Sequence, residues 1–327
     1  MMSADVVSSM DDTEPRAYRL VRPLGRGGSS WVWEAEPVGD AAKRVVVKRL
    51  DAGDHAIARM YRAELSALRA LASGAARHPH IVELIDHGVA DGALHVVLER
   101  VDGIDLGRAL EGGPLAPAMA LAITLDLALA LGHAHAPRPD APAGIAHRDV
   151  RPDNVLVGGD GRAKLSDFGL ARGTLGREVT QSDVVRGTPG FVAPEAVCGL
   201  PAGPPVDVWA LGAMLHALVA GRPPIRSFER AHAVAHGAPV ELDPALTGDA
   251  RELVERCLAR APHARPSAAE VAGCARAALG EQSRGARTAL AAWVRAIGAR
   301  ERGALDDLFF SSVDPGGSSI LVLERPA

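Results

Sequence analysis

The chain has 327 residues, 47% of them hydrophobic, enough to bury a sizeable core in one large or two smaller units. A formal net charge of -4 gives no basic excess, which argues against nucleic acid as a partner. Three cysteines, Cys198, Cys257 and Cys274, form no CxxC pair, so neither a disulfide framework nor a zinc cluster is expected, and a reducing cytoplasm fits best.

In chain order, residues 1–14 are acidic and lack a continuous apolar run, which reads as a flexible lead-in and not a secretory signal. Residues 18–50 alternate β-like runs with a glycine cluster: YRLVRPLG, RGGSS, WVWEAE and RVVVKRL. This predicts two strands joined by a glycine-rich turn and a third strand carrying Lys48. Only Lys43, Lys48 and Lys164 are lysines among 36 basic residues, so a lysine at the end of an apolar β-run is informative. Ile57, Tyr61, Leu65, Leu68 and Leu71 follow at helical spacing, with Glu64 beside that face. HPHIVELIDHG and ALHVVLERVDG read as two further strands, after which helices dominate to about residue 279.

Residues 115–136 are long and apolar enough to suggest a membrane span, but Asp126, Gly132, His133 and His135 are costly in hydrocarbon. The expectation is a buried core helix starting near Pro117, with a single span as the alternative. Beyond residue 280, Leu290, Trp293, Val294 and Ile297 make one helical stripe, and SSVDPGGSS reads as a loop. Such a stripe is expected to pack on the chain's own surface, with partner docking through the 280–327 tail as the alternative.

Three segments carry chemistry. In LGRGGSSWV, Gly25, Gly27, Ser30 and Val32 have the spacing of a phosphate loop, in which glycines let backbone N–H groups approach phosphate oxygens; an ordinary hairpin turn is the competing reading. Lys48 could place its ammonium on nucleotide phosphates if the Glu64 carboxylate holds it. In HRDVRPDNVLV, Asp149 can orient an attacking hydroxyl, Arg151 can neutralise a transferring phosphoryl group, and Asn154 can offer an amide oxygen to a divalent ion. Asp167, thirteen residues past Asn154, would be the carboxylate that Mg²⁺ prefers.

These segments in this order resemble the eukaryotic-type protein kinases, most closely the bacterial Ser/Thr kinases: a glycine loop at 25–32, VVVK at 45–48, Glu64, HPHIV at 78–82, HRD at 147–149, Asn154, DFG at 167–169 and APE at 193–195. The resemblance spans about residues 18–279. It implies an α+β bilobal fold with a β-rich N-lobe at 15–100, one main helix in that lobe, a mostly helical C-lobe at 101–279, and a tail from 280. It also implies ATP with Mg²⁺, or Mn²⁺ in its place, and transfer of the γ-phosphoryl group to protein Ser/Thr hydroxyls.

By the same resemblance, LERVDG would be the hinge, with Leu98 as gatekeeper and the backbone of Glu99 and Val101 binding adenine between Leu24, Val32, Val46 and Leu156. Asp207 would support the catalytic loop and Arg265 would pair with Glu195. Thr188 would bridge Asp149 and the substrate pocket. Arg148 would bind phosphate added at Thr180 and Ser182, the expected autophosphorylation sites. Two positions depart from the pattern: Ser30 replaces the last loop glycine, and Arg151, a planar fork, replaces the usual lysine. The competing readings are a nucleotide-binding scaffold without catalysis and a small-molecule phosphotransferase.

Overall fold

A computed structural model describes residues 16–26, 30–40, 42–50, 65–67, 69–71, 77–138, 141–168, 189–308 and 320–324. The chain divides into two compact units, one made of Met1–Ile57, Leu84–Arg100 and Pro315–Ala327, the other of Ala58–Glu83 and Val101–Asp314.

The first unit is a single antiparallel sheet of β1 (Arg16–Arg26), β2 (Ser30–Pro37), β3 (Val45–Leu50), β4 (Leu84–Ala90), β5 (Ala93–Glu99) and, from the far end of the chain, β9 (Ile320–Leu323), in the order β4-β5-β3-β2-β1-β9. The valine run of β3 suits a central strand with neighbours on both sides. Asp91 and Gly92, at φ 50° and 69°, form the two-residue turn between β4 and β5. The sheet closes on itself beyond β9: Val89 N donates to Glu324 O at 2.7 Å and Glu324 N to Val89 O at 2.9 Å. Gly88 permits this approach, because a Cβ there would lie 2.8 Å from both Glu324 O and Leu323 Cβ. Alternate side chains then fill the interior, with Tyr18, Ala35, Val45, Val47, Val97, Leu321 and Leu323 forming one buried cluster. The Tyr18 hydroxyl donates to Asp86 Oδ2 at 2.9 Å within it. Burial, followed by the Asp86 charge, pushes the Tyr18 pKa far up.

The second unit opens with helical turns at 65–67 and 69–71. A small sheet of β6 (Gly103–Asp105), β7 (Val155–Gly158) and β8 (Ala163–Leu165) follows. Around it lie α1 (Leu106–Ala109), α2 (Pro117–His135), α3 (Pro194–Val197), α4 (Pro205–Ala220), α5 (Phe228–Ala235), α6 (Gly248–Cys257), α7 (Ala268–Leu279) and α8 (Ser283–Leu308). Pro117 stands at the first turn of α2, where its missing N–H costs nothing. Ser267 and Glu270 start α7 with reciprocal capping bonds.

Helices α2 and α4 are buried almost all round, so their sequences are apolar on every face. Among the described residues α2 is the one helix long and apolar enough to cross a membrane, and 72% of its apolar window is buried inside the fold.

Asp126 explains why a carboxylate sits in the middle of α2. Its side chain is fully buried and accepts from Ala163 N at 2.8 Å and from both terminal nitrogens of Arg287 on α8, with His80 Nε2 at 3.4 Å. Arg287 also donates to Gly161 O at 3.0 Å. The α8 stripe is seated on this unit, with Ala286, Leu290 and Val294 buried and Trp293 and Ile297 half-buried.

Two expectations need correction. HPHIVE does not belong to β4, which starts at Leu84; Ile81 bridges Leu165 instead, with Leu165 N donating to His80 O and Val82 N to Leu165 O. The tail, expected to hold a helix and a loop, also supplies the strand β9, whose four residues are too short a run to announce themselves.

The histidines of this segment make stability depend on pH. His78 stacks on His133 at 4.9 Å and meets His80 edge-on at 5.8 Å. Burial first, then His133, His80 and Lys164, lower the His78 pKa to about 4 from its ordinary 6.5, and burial lowers His133 as well. The unfolded chain therefore binds more protons between these values. The associated stability is complete above pH 6.5 and is lost as pH falls towards 4, with a slope of at most about 1.4 kcal/mol per pH unit for one ring. Urea unfolding at stepped pH should show this decline, and His78→Phe should flatten it.

Candidate active site

In the first unit, the register sets the nucleotide-facing candidates on one face of the sheet. Val32 pairs with Lys48, Lys48 with Val96, and Val46 with Leu98, so these side chains lie opposite the buried Val45, Val47 and Val97. Lys48 is 8% exposed and Leu98 also 8%, while Val32, Val46 and Glu99 are half-buried. Leu24 occupies an irregularity of β1 between Pro23 and Gly25, and Gly25 pairs with Val32. A Cβ at Gly25 would meet no described atom within 4 Å. Ser30 begins β2. Gly27 and Glu64 lie outside the described residues, as do Thr180, Ser182 and Thr188.

In the second unit, Asp207 at the start of α4 organises the catalytic-loop candidates. It is fully buried, and its two oxygens accept from His147 N at 2.7 Å, Arg148 N at 2.6 Å and the His135 ring at 2.8 Å. These bonds hold Arg148 in the left-handed region at φ 65°, a conformation a non-glycine residue keeps only when its surroundings enforce it. Arg148 Nε also donates to Ala202 O at 3.0 Å.

The buried His147 ring continues the chain of contacts. Its Nε2 donates to Ser166 O at 2.8 Å, its Nδ1 accepts from Asp149 N at 3.2 Å, and it stands edge-on to the buried Phe168 ring at 4.6 Å. Both bonds call for the neutral ring protonated on Nε2.

Asp149 and Asn154 are brought together directly. Asn154 Nδ2 donates to Asp149 O at 2.7 Å and Oδ2 at 3.0 Å, which turns its Oδ1 away as an acceptor. Asn154 O in turn accepts from Ser166 N at 2.9 Å and Ser166 Oγ at 3.1 Å. Because Val155 pairs with Leu165 in the β7–β8 hairpin, Asn154 and Asp167 flank its open end. Asp167 is, with Asp91 and Arg148, a non-glycine residue at positive φ among the described residues, at 57°. An amide oxygen and a carboxylate are the hard donors that fit a divalent cation such as Mg²⁺. Leu156, half-buried, pairs with Asp105 and Lys164, and Val101 is half-buried just before β6.

Arg265 pairs with Glu195 as a buried fork, Nη1 to Oε1 at 2.6 Å and Nη2 to Oε2 at 2.7 Å, and lies 5.1 Å from the Trp209 ring centre. The cysteines are free, and burial pushes the Cys257 thiol up to about 12, which leaves it inert.

Sequence reasoning missed Asp153. It accepts from Arg151 Nε at 2.8 Å and from Arg151 Nη2, so the loop's cation is paired across Pro152. The signal was an opposite charge two positions along, which ordinarily means little.

The protein kinase domain family matches residues 18–274. The serine/threonine-protein kinase PkaA of Streptomyces coelicolor is 34% identical over 279 residues, covering 78% of this chain and 48% of that protein. PknE of Mycobacterium tuberculosis is 32% identical over 229 residues, 70% of this chain and 39% of its own length. Pkn2 of Myxococcus xanthus is 33% identical over 297 residues, 86% of this chain and 34% of its own. The chain thus spans about half or less of these curated relatives. A buried aspartate fixing the backbone before Asp149, a hairpin bringing Asn154 beside the residue before Asp167, and a family match over both units lead to one assignment: the chain belongs to the protein kinase family.

Proposed function

We propose that the chain is a serine/threonine protein kinase that transfers the γ-phosphoryl group of ATP to hydroxyls of protein substrates. The observation that carries this reading is the fixed loop of Asp149 and Asn154, tied to Asp207 through His147 and Arg148. Asp149 accepts the proton of the attacking hydroxyl and orients its oxygen. Asn154 and Asp167 would hold Mg²⁺, or Mn²⁺ in its place, and the bound ion supplies charge neutralisation on the phosphates. Lys48, with Glu64 as its carboxylate partner, binds the α- and β-phosphates together with Gly25, Gly27 and Ser30, and Arg151 neutralises the moving phosphoryl group.

Leu24, Val32, Val46, Leu98 and Leu156 hold the adenine, with backbone bonds from Glu99 and Val101. Thr188 favours Ser/Thr acceptors, and Thr180 and Ser182 are autophosphorylation sites whose phosphates Arg148 binds. The free cysteines support a cytoplasmic setting.

The test is transfer from labelled ATP with Mg²⁺ to the chain itself and to a generic basic protein. Asp149→Asn and Lys48→Met are each expected to lower the rate by about 10³-fold while thermal unfolding stays unchanged. Wild-type protein that binds ATP without transferring phosphate would favour the scaffold reading. Transfer confined to small hydroxylated metabolites would favour the small-molecule phosphotransferase.

A further inference from the structure

We infer that Asp153 is a positioning residue that makes Arg151 usable at a place where the family has lysine, an inference that rests on the kinase reading above. A lysine ammonium is a compact charge that serves a phosphate from any rotation, whereas a guanidinium is a planar fork that must be presented along a fixed direction. Asp153 supplies that direction. Its Oδ2 takes the Nε side of the Arg151 fork, at 2.8 Å from Nε and also in contact with Nη2. The Nη1 side remains for an anion, because each nitrogen of the fork donates in the guanidinium plane.

The pair is built into its surroundings. Pro152 stands between the two charged residues, is buried, and fixes the backbone of the short 3-10 turn Pro152–Asn154 that carries Asp153 and Asn154 together. Arg151 itself is extended, at φ -154° and ψ 160°, immediately before this turn. Across from it, Gly107 in α1 makes room for the carboxylate: a Cβ at Gly107 would come within 2.7 Å of Asp153 Oδ1. Asp105, which caps α1 by accepting from Arg108 N at 3.1 Å, is close enough for the Asp153 charge to help raise its pKa, after burial as the main cause. Asp153 therefore sits between a second carboxylate and Arg151. The like charge on its far side favours the bond to Arg151 over a swing away from it. The Arg151 side chain is 26% exposed and that of Asp153 55%, so the pair directs the fork and adds little to folding.

The experiment is a double-mutant cycle of Asp153→Asn with Arg151→Lys, read by steady-state transfer and by the NMR signal of Arg151 Nε–H in the full chain. That signal is assigned by its loss in Arg151→Lys. Asp153→Asn is expected to lower kcat by about fivefold with KM for ATP within about twofold, the scale of an exposed ion pair converted to rate. In the Arg151→Lys background the same change should alter kcat by less than about twofold, because a lysine needs no director. The Nε–H resonance should move and its exchange with water should quicken on Asp153→Asn.

A kcat that rises in Asp153→Asn would overturn the inference, since Asp153 would then be withholding Arg151 from phosphate. An equal loss in both backgrounds would also overturn it, as would an Nε–H resonance that does not move. Failure of the kinase reading is distinguishable: it appears as absent transfer in the wild type, whereas the Nε–H signal reports the pair without turnover.

Discussion

Deleting residues 315–327 is expected to open the barrel of the first unit and cost about 3 to 6 kcal/mol, the value of returning two buried leucines to water. Leu321 and Leu323 point inward at 7% and 3% exposure, beside Tyr18, Val45, Val47 and Val97. The backbone loss adds to this, since β9 pairs with β1 from Arg16 to Arg19 and its continuation closes on Val89. Once it is gone, β1 and β4 both become open edges and Tyr18 faces solvent. The cost is a large part of the stability of an ordinary domain.

Hydrogen exchange resolved by residue is the measurement, because protection should fall at Tyr18, Val45, Val47 and Val97 while the α2 and α4 amides keep theirs. Leu323→Asp should reproduce the effect. Ile320→Thr and Val322→Thr, at 54% and 47% exposed positions on the outer face, should stay within about 0.5 kcal/mol of wild type. Unchanged protection after the deletion would mean that β9 is dispensable to the barrel.

Replacing Asp207 by alanine should damage folding and chemistry together. The substitution strands the buried backbone N–H of His147 and the part-buried one of Arg148, and removes the acceptor of the His135 ring. Each stranded donor costs about 1 to 3 kcal/mol, so a loss of about 2 to 6 kcal/mol is expected. Those two bonds help hold the strained φ of Arg148, and relaxation there displaces Asp149, the next residue. Transfer activity should therefore fall well beyond the fraction unfolded. Asp207→Asn keeps one acceptor oxygen and should lie between wild type and alanine on both scales. Rates measured at a temperature where circular dichroism shows all three proteins folded would separate the two effects. A folded Asp207→Ala protein with undiminished transfer would show that the loop holds its shape without the carboxylate.

How much of this was legible in the sequence depends on the distance between cause and signal. The valines of β3, the proline at the first turn of α2 and the Leu290, Trp293, Val294 and Ile297 stripe of α8 act within a few residues, so periodicity and capping rules found those elements. Asp149, Asn154 and Asp167 were singled out by residue type and order alone, and the hairpin brings Asn154 onto Asp149 and onto Ser166, the residue before Asp167. Asp153 was not, because charges two apart meet only when the backbone between them is turned as Pro152 turns it.

The sequence by itself thus determined the family and the chemical groups on offer, since each is written in contiguous stretches. Only the tertiary structure decided that Asp126 is a partner of Arg287, 161 residues away, and that ILVL is the strand completing a barrel begun at Arg16. A buried charge is tolerated by virtue of what folds against it, and a short edge strand forms by virtue of the edge it finds, and neither partner leaves a trace in the local pattern.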